Sequence, residues 1–414
     1  MFVSNLRLVN FRSFCDATVS FGARLNVVVG QNASGKTNLL EGAWFALRGS
    51  SPRTRREEKL ITWGERFTRV ELELDGSPAG PQAVEVAYAP GQGKRARWNG
   101  VEVASQEEIR GRVQVSIFVP ESLLLVKGSP ARRRAHLDVF AAALDPQYAA
   151  ASRELQAALR QRNAQLLAVR NGAAATTLDP WDVQFARAAA ALGRRRRDLV
   201  AGLAGRFAAA AAGLAPEGNA FSLRLVSQLA AVGYDEAALL EELRARRPGE
   251  IGRGLSLFGP HRDDLKFLEV DAAAVAGEPA VSGPTARLAC GPIDLPRGGR
   301  DLRLFGSQGE QRAAVLALLL AEQQLATAST GEQGALFLDD VMSELDDARR
   351  RLLVRHLASA GQAIITTTDR HYFMEEELDQ ATVIELPLSG SLAAGAAAPP
   401  ADAAGPAPPR EDAL

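Results

Sequence analysis

Lysine, cysteine, histidine and methionine are all scarce in this 414-residue chain. The five lysines, Lys36, Lys59, Lys94, Lys127 and Lys266, compare with a Lys+Arg total of 48, so arginine carries nearly all of the positive charge. Two cysteines, Cys15 and Cys290, do not make a disulfide framework. The four histidines are scattered and offer no metal-ligand spacing. A net charge of −1 excludes a general field toward nucleic acid, so attraction to phosphate backbones has to come from local patches. No apolar run approaches the ~20 residues of a membrane span. The opening MFVSNLRLVNF alternates like a strand and lacks the charged-then-apolar order of a signal peptide. These absences predict a soluble cytoplasmic protein with no membrane partner, long enough for two or three domains.

What is present begins with strands. LRLVNF, ATVSF and RLNVVVG read as strands, the last with a buried β-branched centre, followed by a helix over 35–47. Residues 67–119 read as a meander ending in VQVSIFV, with Asn99-Gly100 as a two-residue hairpin turn. Helical character takes over at 129–250, with helices over 132–144, 146–170 and 180–214. Asp179 before Pro180 is placed to cap the third. At 1.5 Å per residue the second and third helices predict an antiparallel arm of roughly 35–50 Å, without the heptads of a long coiled coil. SLRLV and LKFLE return to strand, 271–303 is Gly/Pro/Ala-rich loop, and the tail from 388 is low-complexity.

The segment Gly30, Gln31, Asn32, Ala33, Ser34, Gly35, Lys36, Thr37 matches G-x-x-x-x-G-K-[ST] between a buried-looking strand and a helix. Its glycines let backbone N–H groups approach phosphate. Lys36 is placed to reach the β- and γ-phosphates of ATP, and Thr37 to ligate Mg²⁺. A second element, ALFLDDVMSELD, ends an apolar strand in Asp339-Asp340. Asp339 is a candidate Mg²⁺ acid beside the loop, and Asp340 a candidate to orient or deprotonate water. A third, FGSQGEQR, opens a long apolar helix. Ser307 with Glu310 fits a capping box, which alone would account for the pattern. Gln308 and Gly309 nonetheless leave a helix N-terminus able to face an anion.

The order of these elements is that of ABC-type ATPases, and the wider set of motifs resembles the RecF family of the SMC-like branch. The resemblance is carried by LRLVNFRSF (6–14), GQNASGKTNLLEG (30–42), the 118–134 segment opening FVPESLLLVKGSP, LRQRNAQL (159–166), LFGPHRDDLKF (257–267), FGSQGEQR (305–312) and LFLDDVMSELD (336–346). It implies an α/β fold, a P-loop ABC/SMC-type ATPase head (1–128 and 251–387) with an inserted α-helical lobe (129–250). It also implies a homodimer formed on ATP binding and weak DNA-dependent ATPase activity. Binding to DNA at single-strand gaps and junctions follows from it too, with RecO and RecR, to promote RecA loading. Carried over residue by residue, Ser307 and Gly309 contact the γ-phosphate held by the other copy, Asp346 lies in the linking loop, and Arg12 touches nucleotide.

Departures from the family are a long 271–303 loop, an additional tail past 388, no clear Q-loop glutamine, Gln114 being the candidate, and Thr366–Thr368 where a histidine is common, His371 being too far on. Asp340 in place of glutamate shortens the reach to water and predicts slow turnover. Arginine-rich segments at 53–56, 94–97 beside Trp98, 132–134 and 194–197 are candidate DNA contacts, although charge runs are usually solvated faces. The GPHRDD segment predicts a packed polar network between lobes or a subunit contact instead of a catalytic group. Two other classes share parts of this pattern: the energising subunit of a transporter, and an architectural DNA-binding protein with a vestigial ATP site.

Overall fold

A computed structural model of the chain describes residues 1–110, 112–212, 214, 219–271, 299–359 and 361–388. Cys290, nearly all of the 271–303 loop, and the tail beyond 388 lie outside the described residues. The chain opens with strands β1 (Phe2–Phe11), β2 (Phe14–Ser20) and β3 (Leu25–Val29), then helix α1 (Lys36–Arg48). β4 (Thr68–Asp75), β5 (Gln82–Ala89), β6 (Gly93–Trp98) and β7 (Val101–Glu102) join β1 and β2 in an antiparallel sheet, ordered β2-β1-β4-β5-β6-β7. Its strands alternate, with Val70, Leu72, Val84 and Val86 buried and charged residues outward. Asn99 and Gly100 take φ of 50° and 79° between β6 and β7, the two positive values a type I′ hairpin turn requires.

After α2 (Gln106–Arg110), β8 (Val115–Phe118) leaves this sheet. It is the edge of a second, wholly parallel sheet that includes β3 and three later strands: β12 (Ala335–Leu338), β13 (Gln362–Thr367) and β14 (Thr382–Glu385). The order is β14-β3-β13-β12-β8. This corrects the expectation that VQVSIFV closes the meander. The alternation Val113-Gln114-Val115-Ser116-Ile117 is the pattern of a half-buried antiparallel strand, but the consecutive burial of Ile117, Phe118 and Val119 and the parallel pairing with β12 place it in the other sheet.

The helical insertion comprises α3 (Leu124–Lys127), α4 (Pro130–Leu144), α5 (Pro146–Arg170), α6 (Asp179–Ala211) and α7 (Glu236–Arg253). The α5 and α6 hairpin is antiparallel. Arg162, late in α5, pairs with Asp182 early in α6, whereas Asp145 before α5 pairs with Arg195 well along α6. Asp179 is not the cap of α6. It already has helical angles, follows a 3₁₀ turn at Ala175–Leu178, and its carboxylate accepts from Arg247 instead. Within the 129–250 span lies a strand, β9 (Asn219–Val226), which pairs with β10 (Asp264–Asp271); β11 (Arg300–Asp301) completes that small sheet. The last helices are α8 (Leu302–Phe305), α9 (Gln308–Thr330), α10 (Asp347–Ser359) and α11 (Glu375–Asp379).

Both faces of the parallel sheet are covered. Val28, Phe337 and Ile364 pack toward α1 and the antiparallel sheet. Val27, Leu336, Leu338 and Ile365 pack toward α9 and the distal half of α6, through Leu203 and Phe207. The proximal half of α6, with Phe185 and Leu192, belongs to a separate arm core shared with Tyr148, Leu155 and Leu239. One helix therefore contributes to two cores.

Candidate nucleotide site

The strand β3 delivers the loop at 30–35 to the carboxyl edge of the parallel sheet, where ligands bind in open α/β sheets. Ala33 and Gly35 have φ of 66° and 99°, which curls the loop over the start of α1. A side chain at Gly35 would place its Cβ 2.9 Å from the Phe14 ring, and one at Gly30 would lie 2.5 Å from Ser34 Oγ. Packing requires both glycines, and φ requires Gly35 as well. Helix α1 has Gly35 as its N-cap, no side-chain cap and no acidic residue in its first turn. Its leading N–H groups stay open to an anion. Lys36 Nζ donates to the carbonyls of Gly30 (2.7 Å) and Gln31 (2.8 Å), which places its charge inside the loop. Burial pulls the Lys36 pKa below the ordinary lysine range, opposed by the charges of Asp340 and Asp339.

β12 ends beside this loop. Asp339 is buried, and its Oδ2 accepts from Thr37 Oγ1 at 2.7 Å across 302 residues of sequence. Its other oxygen accepts from Thr366 Oγ1 at 2.7 Å, and Thr366 Oγ1 in turn accepts from the Asp340 N–H at 3.0 Å. Asp340 sits at φ 47°, a left-handed conformation that aspartate tolerates better than most residues. The metal donors offered are oxygens only, a hydroxyl and a carboxylate. Among the described residues no group of three or more His, Cys, Asp and Glu is placed to hold a metal. Two hard protein oxygens, leaving the other positions to phosphate and water, fit Mg²⁺. Ser34 Oγ, buried in the loop with no partner among the described residues, is one more group suited to a polar ligand there.

Ser307 begins α9 as a capping box. Its Oγ accepts from Glu310 N–H at 3.2 Å, and Glu310 returns the bond from Ser307 N–H at 2.7 Å. Ser307 and Gln308 are exposed at the tip, and a Cβ on Gly309 would find nothing closer than 4.0 Å. The apolar residues just before them, Leu304 and Phe305, stand 69% and 63% exposed. Capping and an accessible tip therefore coexist at this helix start. Asp346 Oδ1 accepts from the Arg349 N–H at the start of α10.

Other candidates have partners of their own. Arg12, at φ 56°, makes a two-pronged pair with Glu41 (3.0 and 2.8 Å) and donates to the Lys59 carbonyl at 2.8 Å. Gln114 precedes β8 and so lies at the amino edge of the parallel sheet, opposite the nucleotide loop; it bonds the Ala143 carbonyl. It does not fill a Q-loop position, and the carboxyl end of β8 leads to Pro120 and Glu121 instead. His371 is exposed and paired with Asp369. Within the arginine segments, Arg133 is buried, paired with Asp264 at 2.6 Å and bonded to the carbonyls of Leu125, Val126 and Gly128. Arg196 is buried between Asp138 and Asp263. Arg194 and Arg195 bond Tyr234 and Asp145. Arg133 and Arg196 join the arm to the head, whereas Arg194 is exposed and the bonds of Arg194 and Arg195 stay within the arm. The GPHRDD segment is the packed network expected, Asp263 meeting Arg196 and the Arg134 side chain bonding its carbonyl.

Sequence reasoning missed Thr366 as a partner of both acids, and Glu41, which gathers Arg12, Arg53 and Ser51. Nothing local marks either; each is defined by residues far away in the chain.

The family model for the RecF/RecN/SMC N terminal domain matches residues 2–385. The chain is 31% identical to the DNA replication and repair protein RecF of Geobacillus thermodenitrificans (strain NG80-2), over 95% of this chain and 100% of that protein. It is 36% identical to the protein of the same description from Acidothermus cellulolyticus (strain ATCC 43068 / DSM 8971 / 11B), over 89% and 94%. A solved structure of the recombination mediator protein RecF-ATPrS in the RecFOR pathway superposes with a TM-score of 0.72 at 25% identity, covering 90% of this chain and 94% of that one. An Smc head bound to the C-winged helix domain of ScpA shares the fold at a TM-score of 0.52 and 16% identity. With a complete P-loop, its acidic strand and its serine-tipped helix in one α/β head, the chain belongs to the RecF family of SMC-like ATPases.

Proposed function

We propose that this chain is an ATP-gated DNA-binding protein of recombinational repair, a homodimer when ATP is bound, with weak DNA-dependent ATPase activity. The observation that carries the reading is the 2.7 Å contact between Thr37 and Asp339, which joins the two halves of a nucleotide site from opposite ends of the chain. In this mechanism the N–H groups of Gly30–Thr37 and the Lys36 ammonium bind and orient the β- and γ-phosphates. Thr37 and Asp339 hold Mg²⁺, which screens phosphate charge when bound. Thr366 keeps Asp339 and Asp340 in register. Asp340 orients the attacking water and accepts its proton, and its short side chain makes that step slow. Ser307 and Gly309 of a second copy donate to the γ-phosphate, and the exposed Leu304 and Phe305 beside them supply apolar surface for that copy.

Arg12 positions α1 through Glu41. Action at single-strand gaps and junctions, with RecO and RecR to load RecA, completes the reading; the RecFOR pathway is named for the similar solved structure. The test is light scattering of the full chain with ADP, with ATP, and with ATP plus gapped DNA. Mass should double only with ATP. Lys36→Ala should abolish nucleotide binding, and Ser307→Arg should bind ATP yet stay monomeric. A Ser307→Arg protein that dimerises normally with ATP sinks the trans contact.

A further inference from the structure

The arginine segments divide sharply once their partners are known. In the arm, Arg133 and Arg196 are spent on carboxylates and carbonyls at the junction with the head, although Arg132 is exposed. Around the connection between α1 and β4 the opposite holds. Arg55, Arg56, Lys59 and Arg66 are exposed, and no ion-pair or hydrogen-bond partner occupies their side chains among the described residues. The acids interleaved with them are partly committed, Glu57 to Lys94 and Glu65 to Asn10. In the same stretch Trp63 stands 70% exposed and Phe67 42%. Phe67 also lines a hollow of about 250 Å³ with Tyr88, Arg95 and Arg97, where β4, β5 and β6 end together. Arg97 is paired with Glu85, whereas Arg95 is exposed and has no partner among the described residues.

Exposed aromatic rings among unneutralised guanidinium groups suit one ligand chemistry above others: unstacked bases on a phosphate backbone. A duplex end-to-end stacked in B-form keeps its bases from such rings, and an apolar protein partner would not call for this many bare cations. We propose that this end of the antiparallel sheet seats unpaired nucleotides of single-stranded DNA. A base stacks on Trp63, a neighbour enters the Phe67–Tyr88 hollow, and Arg55, Arg56, Arg66 and Arg95 hold the phosphates. The seat is tied to the nucleotide site, because Arg12 bridges Glu41 of α1 to the carbonyl of Lys59. The inference rests on the DNA-binding reading above and specifies which DNA form is recognised and where.

The test is fluorescence anisotropy of the full chain with ATP on three labelled probes: a single-stranded oligonucleotide, a gapped duplex and a blunt duplex. Trp63 is exposed enough to be truncated without opening the core. Trp63→Ala should weaken single-stranded and gapped binding about tenfold, leave blunt-duplex affinity and ATP-dependent dimerisation unchanged, and be rescued by Trp63→Phe. Arg95→Ala should lower the salt slope by about one on the gapped probe. If the wild type binds no probe, the DNA-binding reading itself fails. If it binds while Trp63→Ala matches it on every probe, or loses all three equally, only the seat is overturned. Unchanged DNA affinity with lost binding of purified RecR would make the patch a protein interface and overturn it as well.

Discussion

At the residue scale the decisive groups are held by hydrogen bonds that no local pattern announces. Thr366 is an ordinary threonine in a buried strand, yet its hydroxyl donates to Asp339 and accepts from the backbone of Asp340. Thr366→Val keeps the shape and removes both bonds. It should lower stability by about 1–3 kcal/mol, the cost of leaving a buried acceptor unsatisfied. It should also weaken ATP binding in Mg²⁺ while leaving metal-free binding within about twofold, since Asp339 is the group it displaces. Calorimetric titration with Mg²⁺ and with EDTA checks this; equal losses in both would point to the phosphate loop instead. Lys36, by contrast, was legible from its motif, because eight contiguous residues define both the loop and its chemistry.

At the element scale, periodicity located the helices well and the strand partners less well. The helix over 146–170 matches α5, and the hairpin turn at Asn99-Gly100 follows from φ preferences alone. β8 is the exception: the alternation Val115-Ser116-Ile117 reads as a strand of the meander, yet the strand pairs with β12 in the parallel sheet. The arginines of α4 show the same limit. Arg132 is exposed and Arg133 buried, neighbours that a helix turns by about 100° from one another. Arg133→Ala strands Asp264 and three carbonyls and should cost about 3–5 kcal/mol, read as a lower denaturation midpoint. Arg132→Ala should fall within about 0.5 kcal/mol of wild type. Equal effects would refute the assignment of Arg133 to the arm–head junction.

At the scale of the whole molecule, the arm is fastened to the head through α6 and through a His136–Glu322 contact of 2.8 Å between α4 and α9. Burial disfavours the imidazolium, but the Glu322 charge and hydrogen bond outweigh it, so the His136 pKa is raised. Arg48 also lies in the field of Glu322. A raised folded pKa contributes stability that is fully present below the unfolded value of about 6.5 and lost as pH rises through the folded one. The difference in melting temperature between wild type and His136→Gln should therefore shrink as pH is raised from 6 to 9. A difference that is flat over this range would show that folding does not raise the His136 pKa.

The sequence by itself determined what is local: the P-loop, the capping box of α9, the turn chemistry, and the helical arm with its period. It determined these because each rests on residues within a few positions of one another. Only the tertiary structure decided which arginines are structural and which stand free, that β8 edges the parallel sheet, and that Thr366 and Glu41 support the site. Those facts depend on pairings such as Thr37 with Asp339 or Arg133 with Asp264, separated by 302 and 131 residues, and chain folding alone brings such groups within hydrogen-bond reach.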